Sequence, residues 1–340
     1  MKNKFIYIIA VILCIGLITF SACKKENSEI APANNKNSGI ILVNLETEAK
    51  TNITMLEFST KELFDQTVST LEAQIESHED AFVQQYSALD DDALNAKEEE
   101  IGFNDLQPLI DFENLYSFTN SMRIEYVAAE EIWLDNDVLS TFTDPDNIYG
   151  FDIIEMTLLN REGEVKIGNS ILKLTDEGFA FILDGSVSTL IRIREGDISA
   201  LYEDNVETNI DPSKGSCSGW KKNDDQHNYE TNRKVKRHVH FHSYPWKLVS
   251  QTKLKSYKKK NGRWKKYRRT LGVNNQMFYY DKNCNYKGGA YETWKIKRRK
   301  SIYVYNKYTG SILQGKAKNG QSVNGGFKYS NNTIYLLLTW

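Results

Sequence analysis

Three histidines at alternating positions are the residues of this chain whose types and spacing could most directly do chemistry. His238, His240 and His242 are separated by Val239 and Phe241. Successive side chains of a β-strand point to opposite faces, so the three imidazoles would share one face. Neutral imidazole is a good ligand for zinc or copper, and this spacing allows two ligands to one ion. A polar, half-exposed strand face is the alternative, because no HExxH motif or nearby carboxylate base completes a catalytic signature.

Cys217 is a second chemical candidate, at the centre of a Gly-Ser-Cys-Ser-Gly stretch. A nucleophile elbow has this form, but it needs a strand before it and a helix after it. Here a polar stretch precedes the cysteine, and Trp220-Lys221-Lys222 follows. We therefore predict a structural cysteine. A disulfide between Cys217 and Cys284 would close a loop of about 67 residues and stabilise the fold by ~4 kcal/mol on the chain-entropy model, with two free thiols as the alternative.

Lysine and arginine are concentrated in strand-like segments that also carry tyrosine and tryptophan. Such cations neutralise phosphate, sulfate or carboxylate, and aromatic rings stack on sugars or bases. The predicted polyanion contacts are Lys258, Lys259, Lys260, Arg263, Lys265, Lys266, Arg268, Arg269, Arg298, Arg299 and Lys300. In the alternative interpretations, this surface docks onto acidic residues of the same chain or is simply solvated.

Opposite charges divide the chain into two parts. Residues 24–214 hold 13 Lys and Arg and 40 Asp and Glu, a net charge of −27. Residues 215–340 hold 28 Lys and Arg and 5 Asp and Glu, a net charge of +23. The whole chain nevertheless has a net charge of only −2. The length and this asymmetry predict an acidic domain at 40–214 and a basic domain at 215–340.

The N-terminus has the organisation of a secretory leader. Lys2 and Lys4 precede a sixteen-residue run without charge, residues 5–20. That run is short for a membrane-spanning helix, which needs about 20 apolar residues. Phe20-Ser21-Ala22-Cys23 resembles the lipobox of bacterial lipoproteins, which implies a signal peptide at 1–22 and acylation of Cys23, for example with palmitate. A plain secreted protein is the alternative, and either compartment permits disulfides.

Cys23-Lys24-Lys25-Glu26 and the Asn/Ser/Ala/Pro-rich tract after it resemble uncharacterised cell-envelope lipoproteins of the Bacteroidota. Gly102-Phe103 and the Asn-x-x-Gly hairpin region at 160–168 add to this resemblance. The resemblance implies a lipid-anchored protein of the outer membrane, on either the periplasmic or the surface face. It does not imply any particular activity. Residues 23–39 contain too little apolar surface to bury and are predicted to be a flexible tether.

Helices are predicted in the first part of the acidic domain. Ser59-Thr60-Lys61-Glu62 forms a capping box with Ser59 as the N-cap. One helical face follows at Phe64, Val68, Leu71 and Ile75. A second helix is predicted around Phe82, Tyr86 and Leu89, with the acidic runs at 90–92 and 98–100 as its solvated end or a loop. Further helical patterns lie at 106–110 and 126–133.

Strands complete the acidic domain. They are predicted at Ile40–Leu45, Ile153–Leu159, Glu164–Ile167, Ser170–Leu174, Phe179–Leu183 and Val187–Ile193. Gly168-Asn169 is the turn of a hairpin. Helices followed by a small antiparallel meander predict an α+β domain.

The basic domain is predicted to be all-β, a sandwich or small barrel. Its predicted strands are 235–242, 247–259, 263–273, 277–281, 290–298, 301–306 and 333–340, and its hairpin turns are Asn261-Gly262, Asn319-Gly320 and Asn324-Gly325. Within one strand, Trp294 and Ile296 are predicted to face the core, with Lys295 and Lys297 on the opposite, basic face.

Together these patterns predict a lipid-anchored cell-envelope protein that binds or has a structural role and does not catalyse. Its expected partners are the membrane, through acylated Cys23, and an acidic polysaccharide, lipopolysaccharide or envelope protein; genomic nucleic acid, a catalytic residue and a cofactor are not expected. The alternative is a metal- or thiol-dependent hydrolase that uses the three histidines or Cys217. A third possibility is a structural subunit whose opposite charges join neighbouring copies.

Overall fold

Six strands form the first sheet of the computed structural model, which describes residues 38–46, 52–135, 144–175, 178–210, 221–280, 286–309 and 321–339. The strands are β1 Ile40–Glu46, β2 Asn52–Phe58, β3 Glu164–Ile167, β4 Ser170–Leu174, β5 Phe179–Ile182 and β6 Val206–Thr208. They pair in chain order. All neighbours are antiparallel except β2 and β3, which are parallel, with Phe58 beside Ile167. The predicted hairpin at Gly168-Asn169 is confirmed.

Most of the helical residues lie between β2 and β3. The helices are α1 Lys61–Gln85, α2 Asp91–Ile101, α3 Gln107–Leu115, α4 Met122–Asp135, α5 Pro145–Ile148, α6 Ile153–Leu158 and, after β5, α7 Val187–Arg194, followed by a 3₁₀ helix at Ile198–Tyr202. Since strands precede as well as follow these helices, the fold is a mixed α+β one with a strand-rich C-terminal part.

Helix α1 has the predicted apolar face, with Phe64, Val68, Leu71 and Ile75 all buried. Its N-cap is Thr60 and not Ser59, since the Thr60 hydroxyl accepts a hydrogen bond from the Leu63 amide at 3.1 Å. The predicted separate helix around Phe82 is wrong: α1 continues to Gln85, and Phe82 extends the same buried face.

The acidic runs after α1 belong to a helix, so their prediction as a solvated end or loop is wrong. Asp90 is the N-cap of α2 and accepts a hydrogen bond from the Ala93 amide at 2.8 Å. Asp91 and Asp92 lie in the first turn, where the helix dipole favours negative charge. Gly102 ends the helix in the left-handed conformation.

Two segments predicted as strands are helices. Asp152 caps α6, and its side chain accepts from the Ile154 amide at 2.9 Å. Every residue of α6 is buried, and a short apolar run that is buried all round has no periodicity to separate helix from strand. Ser186 caps α7 in the same way, accepting from the Thr189 amide at 3.2 Å.

The C-terminal part forms two further sheets. Its strands are β7 Lys221–Glu230, β8 Arg233–Ser243, β9 Lys247–Lys260, β10 Arg263–Lys266, β11 Arg269–Tyr280, β12 Tyr286–Arg299, β13 Ser301–Thr309, β14 Gln321–Tyr329 and β15 Asn332–Thr339. One sheet has the order β10-β9-β8-β7, with β13 also paired to β9; the other has the order β12-β11-β14-β15. These strands form no closed barrel among the described residues, so the small-barrel alternative is not what the chain adopts.

The apolar faces of the two C-terminal sheets share one core. It joins residues such as Val239 and Leu254 with Val273 and Phe327 from the facing sheet. Gly325 lies inside β14, so the predicted turn at Asn324-Gly325 is wrong. A Cβ atom at Gly325 would lie 2.3 Å from the Val239 side chain, which explains the glycine by close sheet-to-sheet approach.

The strand pairing tests the other predictions for the basic part. The hairpin at Asn261-Gly262 is confirmed, but 263–273 is interrupted at Tyr267 and Arg268, where the chain passes from β10 to β11. The assignment of faces in β12 is also wrong. Ile296 is 51% exposed, while Lys295 and Lys297 point toward carboxylates of α1. Strand β12 turns its cations inward because the opposing helix is acidic.

A second core connects the parts that the charge pattern separates. It contains Phe64 of α1 and Val165 of β3 together with Tyr244 and Val249 from the basic part. The described residues belong to one compact unit, Ser38–Trp340. The predicted domain boundary at 214–215 lies outside the described residues and stays a prediction, as do the leader, the tether, Cys23, Cys217, Cys284 and the turn at Asn319-Gly320.

Candidate functional site

The hairpin of β9 and β10 gathers the exposed members of the predicted polyanion surface. Asn261 and Gly262 form its turn with φ of 53° and 84°, as a tight two-residue hairpin requires. Across the strands, Lys258 pairs with Lys265 and Lys260 with Arg263. These four residues, which we call the hairpin quartet, lie on one face because they are two apart along each strand. Like charges directly opposite each other destabilise a hairpin, so the quartet needs carboxylates.

Helix α2 and the end of α4 supply those carboxylates. Glu99 is shared by two lysines, with its oxygens 2.9 Å from the Lys260 Nζ and 3.4 Å from the Lys265 Nζ. Lys258 contacts Asp92, and Arg263 lies 3.4 Å from Asp135. Four cations therefore meet three carboxylates, and the quartet retains an excess positive charge.

Three members of the quartet are open to solvent, whereas the Lys258 side chain is 26% exposed. The side chains of Lys260, Arg263 and Lys265 are 56%, 66% and 57% exposed. A cleft of about 220 Å³ lies between the hairpin and α2. Exposed ion pairs contribute only about 0.2–1 kcal/mol each, so a denser anion can replace these carboxylates at little cost.

Two further predicted hairpin cations lie on the opposite face. The Lys259 ammonium lies 5.7 Å from the centre of the Trp264 ring. Lys266 reaches inward to Glu130 of α4, at 2.6 Å. Both residues lie beside the cleft, although neither belongs to the open quartet.

The remaining predicted cations turn toward α1 and α2. Arg268 is fully buried between Glu79, at 2.8 Å, and Glu98, at 3.1 Å. The other contacts are Arg298 to Asp91 at 2.7 Å, Arg299 to Glu79 at 2.9 Å and to Asp80 at 2.6 Å, and Lys300 to Glu98. Arg269 lies half-buried at the start of β11. The eleven cations therefore do not form one open surface.

A buried charge network joins the first C-terminal sheet to the helices, and no motif predicted it. Lys236 of β8 contacts Asp144 and Asp146, the latter at 2.6 Å. Lys255 of β9 contacts Asp146 and Glu130, each at 2.9 Å. The sequence did contain one signal for this network: lysines at alternating positions of two strands that also carry apolar residues. When such lysines are buried, they must be paired with carboxylates.

The charges of this network are mutually stabilised. Burial by itself raises the pKa of a carboxyl, but Lys255 and Lys266 outweigh it and lower the pKa of Glu130 to about 2. Burial likewise disfavours the Lys255 ammonium, yet Asp146 and Glu130 hold its pKa well above the usual value. Both groups are thus ionised at neutral pH.

The three histidines lie on one strand face, as predicted, but that face is buried. Successive ring centroids are 5.2 and 5.1 Å apart. The His238 Nε2 lies 3.0 Å from the His240 Nδ1, and the His242 Nε2 lies 3.3 Å from a Glu155 oxygen. The expectation of a half-exposed face is therefore wrong, because the helices cover β8.

The surroundings of His238 and His240 favour the neutral form of these two imidazoles. Burial lowers the pKa of His238 to about 3 and, together with the neighbouring histidines, holds the pKa of His240 well below its usual value. No group of three His, Cys, Asp or Glu residues within the described ranges is arranged to hold a metal ion. The metal assignment stays a prediction, and Cys217, the proposed thiol, lies outside these ranges.

Comparisons with known proteins add little to this geometry. No protein-family model and no curated protein matches the chain. A solved structure of a DUF4848 family protein from Bacteroides thetaiotaomicron VPI-5482 has a TM-score of 0.19 and 12% identity, covering 87% of this chain and 100% of that one. This similarity is too weak to support any statement about fold or function. Among the described helices, none has the length and apolarity needed to span a bilayer.

Proposed function

We propose that this chain is a lipid-anchored cell-envelope protein that binds an anionic polysaccharide or lipopolysaccharide through the hairpin quartet. The two C-terminal sheets would act as a sandwich-type scaffold for the hairpin. The observation that carries this proposal is that Lys260, Arg263 and Lys265 are more than half exposed and meet only two carboxylates, Glu99 and Asp135. By contrast, Lys236, Lys255 and Arg268 are buried against their carboxylates.

The mode of binding follows from the geometry of the quartet. Glu99 contacts Lys260 and Lys265 at the same time, and Arg263 contacts Asp135 at the end of α4. A polyanion with closely spaced phosphates or carboxylates would displace Glu99 and bridge Lys260, Lys265 and Arg263. Binding of this kind releases counterions, so it weakens steeply with salt.

Retention on heparin and on lipopolysaccharide resin tests the quartet. The full chain should be retained at low salt, and the triple variant Lys260→Gln, Arg263→Gln, Lys265→Gln should elute at clearly lower salt. Lys61→Gln, which removes an exposed lysine at the start of α1, is the matched control and should elute as the unchanged protein does. Equal elution of the triple variant and the control would refute the quartet as the binding surface.

The proposed lipid anchor in the cell envelope is tested separately. Intact-mass analysis of natively produced protein should find a chain that begins at Cys23 and carries acyl groups, and Cys23→Ser should remain unprocessed. An unacylated N-terminus elsewhere would remove the anchor while leaving the quartet open to its own test.

The hydrolase alternative gains no support from the described residues, because the three histidines are buried behind helices and no group of three His, Cys, Asp or Glu residues there is arranged to hold a metal ion. We therefore retain binding as the function.

A further inference from the structure

A second cleft, of about 530 Å³, lies where the edges of both C-terminal sheets meet α1. Its walls come from Glu72 and Glu76 of α1, from β12 at residues 292–295, and from Tyr305 and Lys307 of β13. Among the described strands, β12 pairs only with β11 and β13 only with β9, so an open edge of each sheet borders the cleft. None of these residues belongs to the hairpin quartet.

A β-bulge sets the side chains of β12 in the cleft. Val273 pairs with Lys295 and Asn275 with Glu292, so Thr293 and Trp294 together lie opposite Asn274. The extra residue puts Glu292 and Lys295 on the same face of the strand, although they are three positions apart. Bulges of this kind redirect side chains and are frequent beside functional sites.

The polar groups of the cleft alternate between acceptors and donors. The Lys295 ammonium lies 3.1 Å from Glu76, and the Lys307 ammonium lies 3.8 Å from Glu72. Glu292 is exposed and forms no ion pair with a described residue. Burial raises the pKa of the Glu72 carboxyl, although Lys307 opposes the shift.

This arrangement suits hydroxyl groups, each of which donates one hydrogen bond and accepts others. A vicinal pair of hydroxyls can bridge a carboxylate and the ammonium beside it, and charged partners make such hydrogen bonds strong. The Tyr305 ring also lines the cleft, with the Lys307 ammonium 5.1 Å from its centre. An aromatic ring in this position can pack against the apolar face of a sugar.

Other ligand classes match the cleft less well. Three carboxylates against two ammonium groups give it a negative balance, which repels a polyanion. An extended peptide would add to the strand edge, but the bulge at Thr293 and Trp294 interrupts the regular backbone repeat that strand addition uses. Glu72 and Glu76 already contact lysines, which leaves little charge for a metal ion.

We propose that this cleft binds an uncharged oligosaccharide, with Glu72, Glu76, Glu292, Lys295 and Lys307 holding its hydroxyls and Tyr305 contacting a sugar ring. The site is separate from the hairpin quartet. The protein would then hold two glycan-binding surfaces of different charge preference, one for anionic and one for neutral chains.

The test is calorimetry and saturation-transfer NMR of the full chain with four probes: cellohexaose, xylohexaose, maltohexaose and chitohexaose. At least one should bind. Glu292→Ala should weaken that affinity by about tenfold or more, as expected for loss of a charged hydrogen-bond acceptor. Because Glu292 is exposed and makes no ion pair with a described residue, Glu292→Ala should leave the urea midpoint unchanged.

The control is Glu99→Ala, which alters the hairpin cleft and should leave hexasaccharide affinity unchanged. Heparin retention should in turn be unaffected by Glu292→Ala, so failure of one site can be told from failure of the other. The proposal is overturned if none of the four probes binds at 10 mM, or if Glu292→Ala binds as the unchanged protein does.

Discussion

Two sets of lysine–carboxylate contacts in this protein use the same chemical groups in opposite surroundings. In the buried network, Lys236 is 1% exposed and lies between Asp144 and Asp146. At the hairpin tip, Lys260 and its partner Glu99 are both more than half exposed. The buried set fixes how the helices dock on the sheet, because neither partner can return to water without separating the layers. The exposed set can exchange partners and is therefore the one available for binding.

The variant with the largest expected effect on stability is Asp146→Asn, which tests whether burial distinguishes the two sets of contacts. It removes a carboxylate shared by Lys236 and Lys255, and breaking a buried pair by deleting one partner typically costs about 3–5 kcal/mol. Urea unfolding should show a loss of this size. Asp135→Asn, which removes the exposed partner of Arg263, should cost less than about 1 kcal/mol. Similar losses for the two variants would show that burial does not distinguish the sets.

Arg268→Met tests the same idea at α1 and α2. Burial on its own lowers the Arg268 pKa, but Glu79 and Glu98 outweigh it and raise that pKa, so the guanidinium is tightly held. Each carboxylate keeps a second cation, Arg299 or Lys300, so the expected loss is about 3 kcal/mol, at the lower end for a buried pair.

The control for this prediction is Arg298→Met, which removes a less buried contact to Asp91 and should cost about 1 kcal/mol or less. Urea midpoints measure both variants. An Arg268→Met loss no larger than that of the control would contradict the prediction and would mean that Arg299 and Lys300 satisfy Glu79 and Glu98 without Arg268.

Acid should loosen the buried set in two stages. The pKa of His238 is about 3 in the fold and 6.5 in an unfolded chain, so unfolding takes up a proton and stability falls as the pH drops from about 6.5 to about 3. For Glu155, burial raises the pKa but His242 and Lys247 outweigh it, lowering the value from 4.5 to about 2. Stability from this carboxylate, and from Glu130, is present above pH 4.5 and is lost as the pH falls toward 2.

His238→Gln should make the upper stage shallower. One titrating group contributes at most about 1.4 kcal/mol per pH unit, so the slope of unfolding free energy between pH 6.5 and 4.5 should fall by up to that amount. His78→Gln, which alters a half-buried histidine of α1 that lies 2.8 Å from the Asn104 carbonyl oxygen, is the control and should retain the original slope. An unchanged slope in His238→Gln would mean that His238 is already protonated in the fold.

The smallest expected effect is the coupling between Lys260 and Glu99. A double-mutant cycle with Gln at both positions should give about 0.2–1 kcal/mol at low ionic strength. In 1 M salt the screening length is about 3 Å, so this coupling should vanish. The equivalent cycle for Lys236 and Asp146 should keep most of its coupling in salt, and its disappearance would count against a dry interior for the network.

Local features of the fold were predictable from the sequence because they depend on neighbouring residues. The apolar face of α1, the Gly168-Asn169 hairpin and the Asn261-Gly262 hairpin all follow from periodicity and turn chemistry. Errors arose where local signals are ambiguous. The short apolar segments at α6 and α7 have strand-like composition, and only the caps Asp152 and Ser186 indicate helices.

The charge pairing could be anticipated only in outline. The opposed net charges and the dense cations at 263–269 indicated that one basic face must meet acids. They could not indicate which cations remain exposed, since Arg268 reaches Glu79 across 189 positions of the chain. The oligosaccharide cleft was not foreseeable, because it depends on a bulge in β12 and on the docking of α1 against two sheet edges.

The parallel pairing of β2 with β3 has a consequence for how the fold can vary. The chain leaves the first sheet after Phe58 and re-enters it at Glu164, the start of β3, so α1 to α6 form a single excursion between two adjacent strands. Turns at the outer ends of those helices can lengthen or shorten without moving any strand out of register. The docking face of the excursion has no such freedom, because its acidic side chains contact cations of the basic strands, and Asp146 and Glu130 contact two or more each.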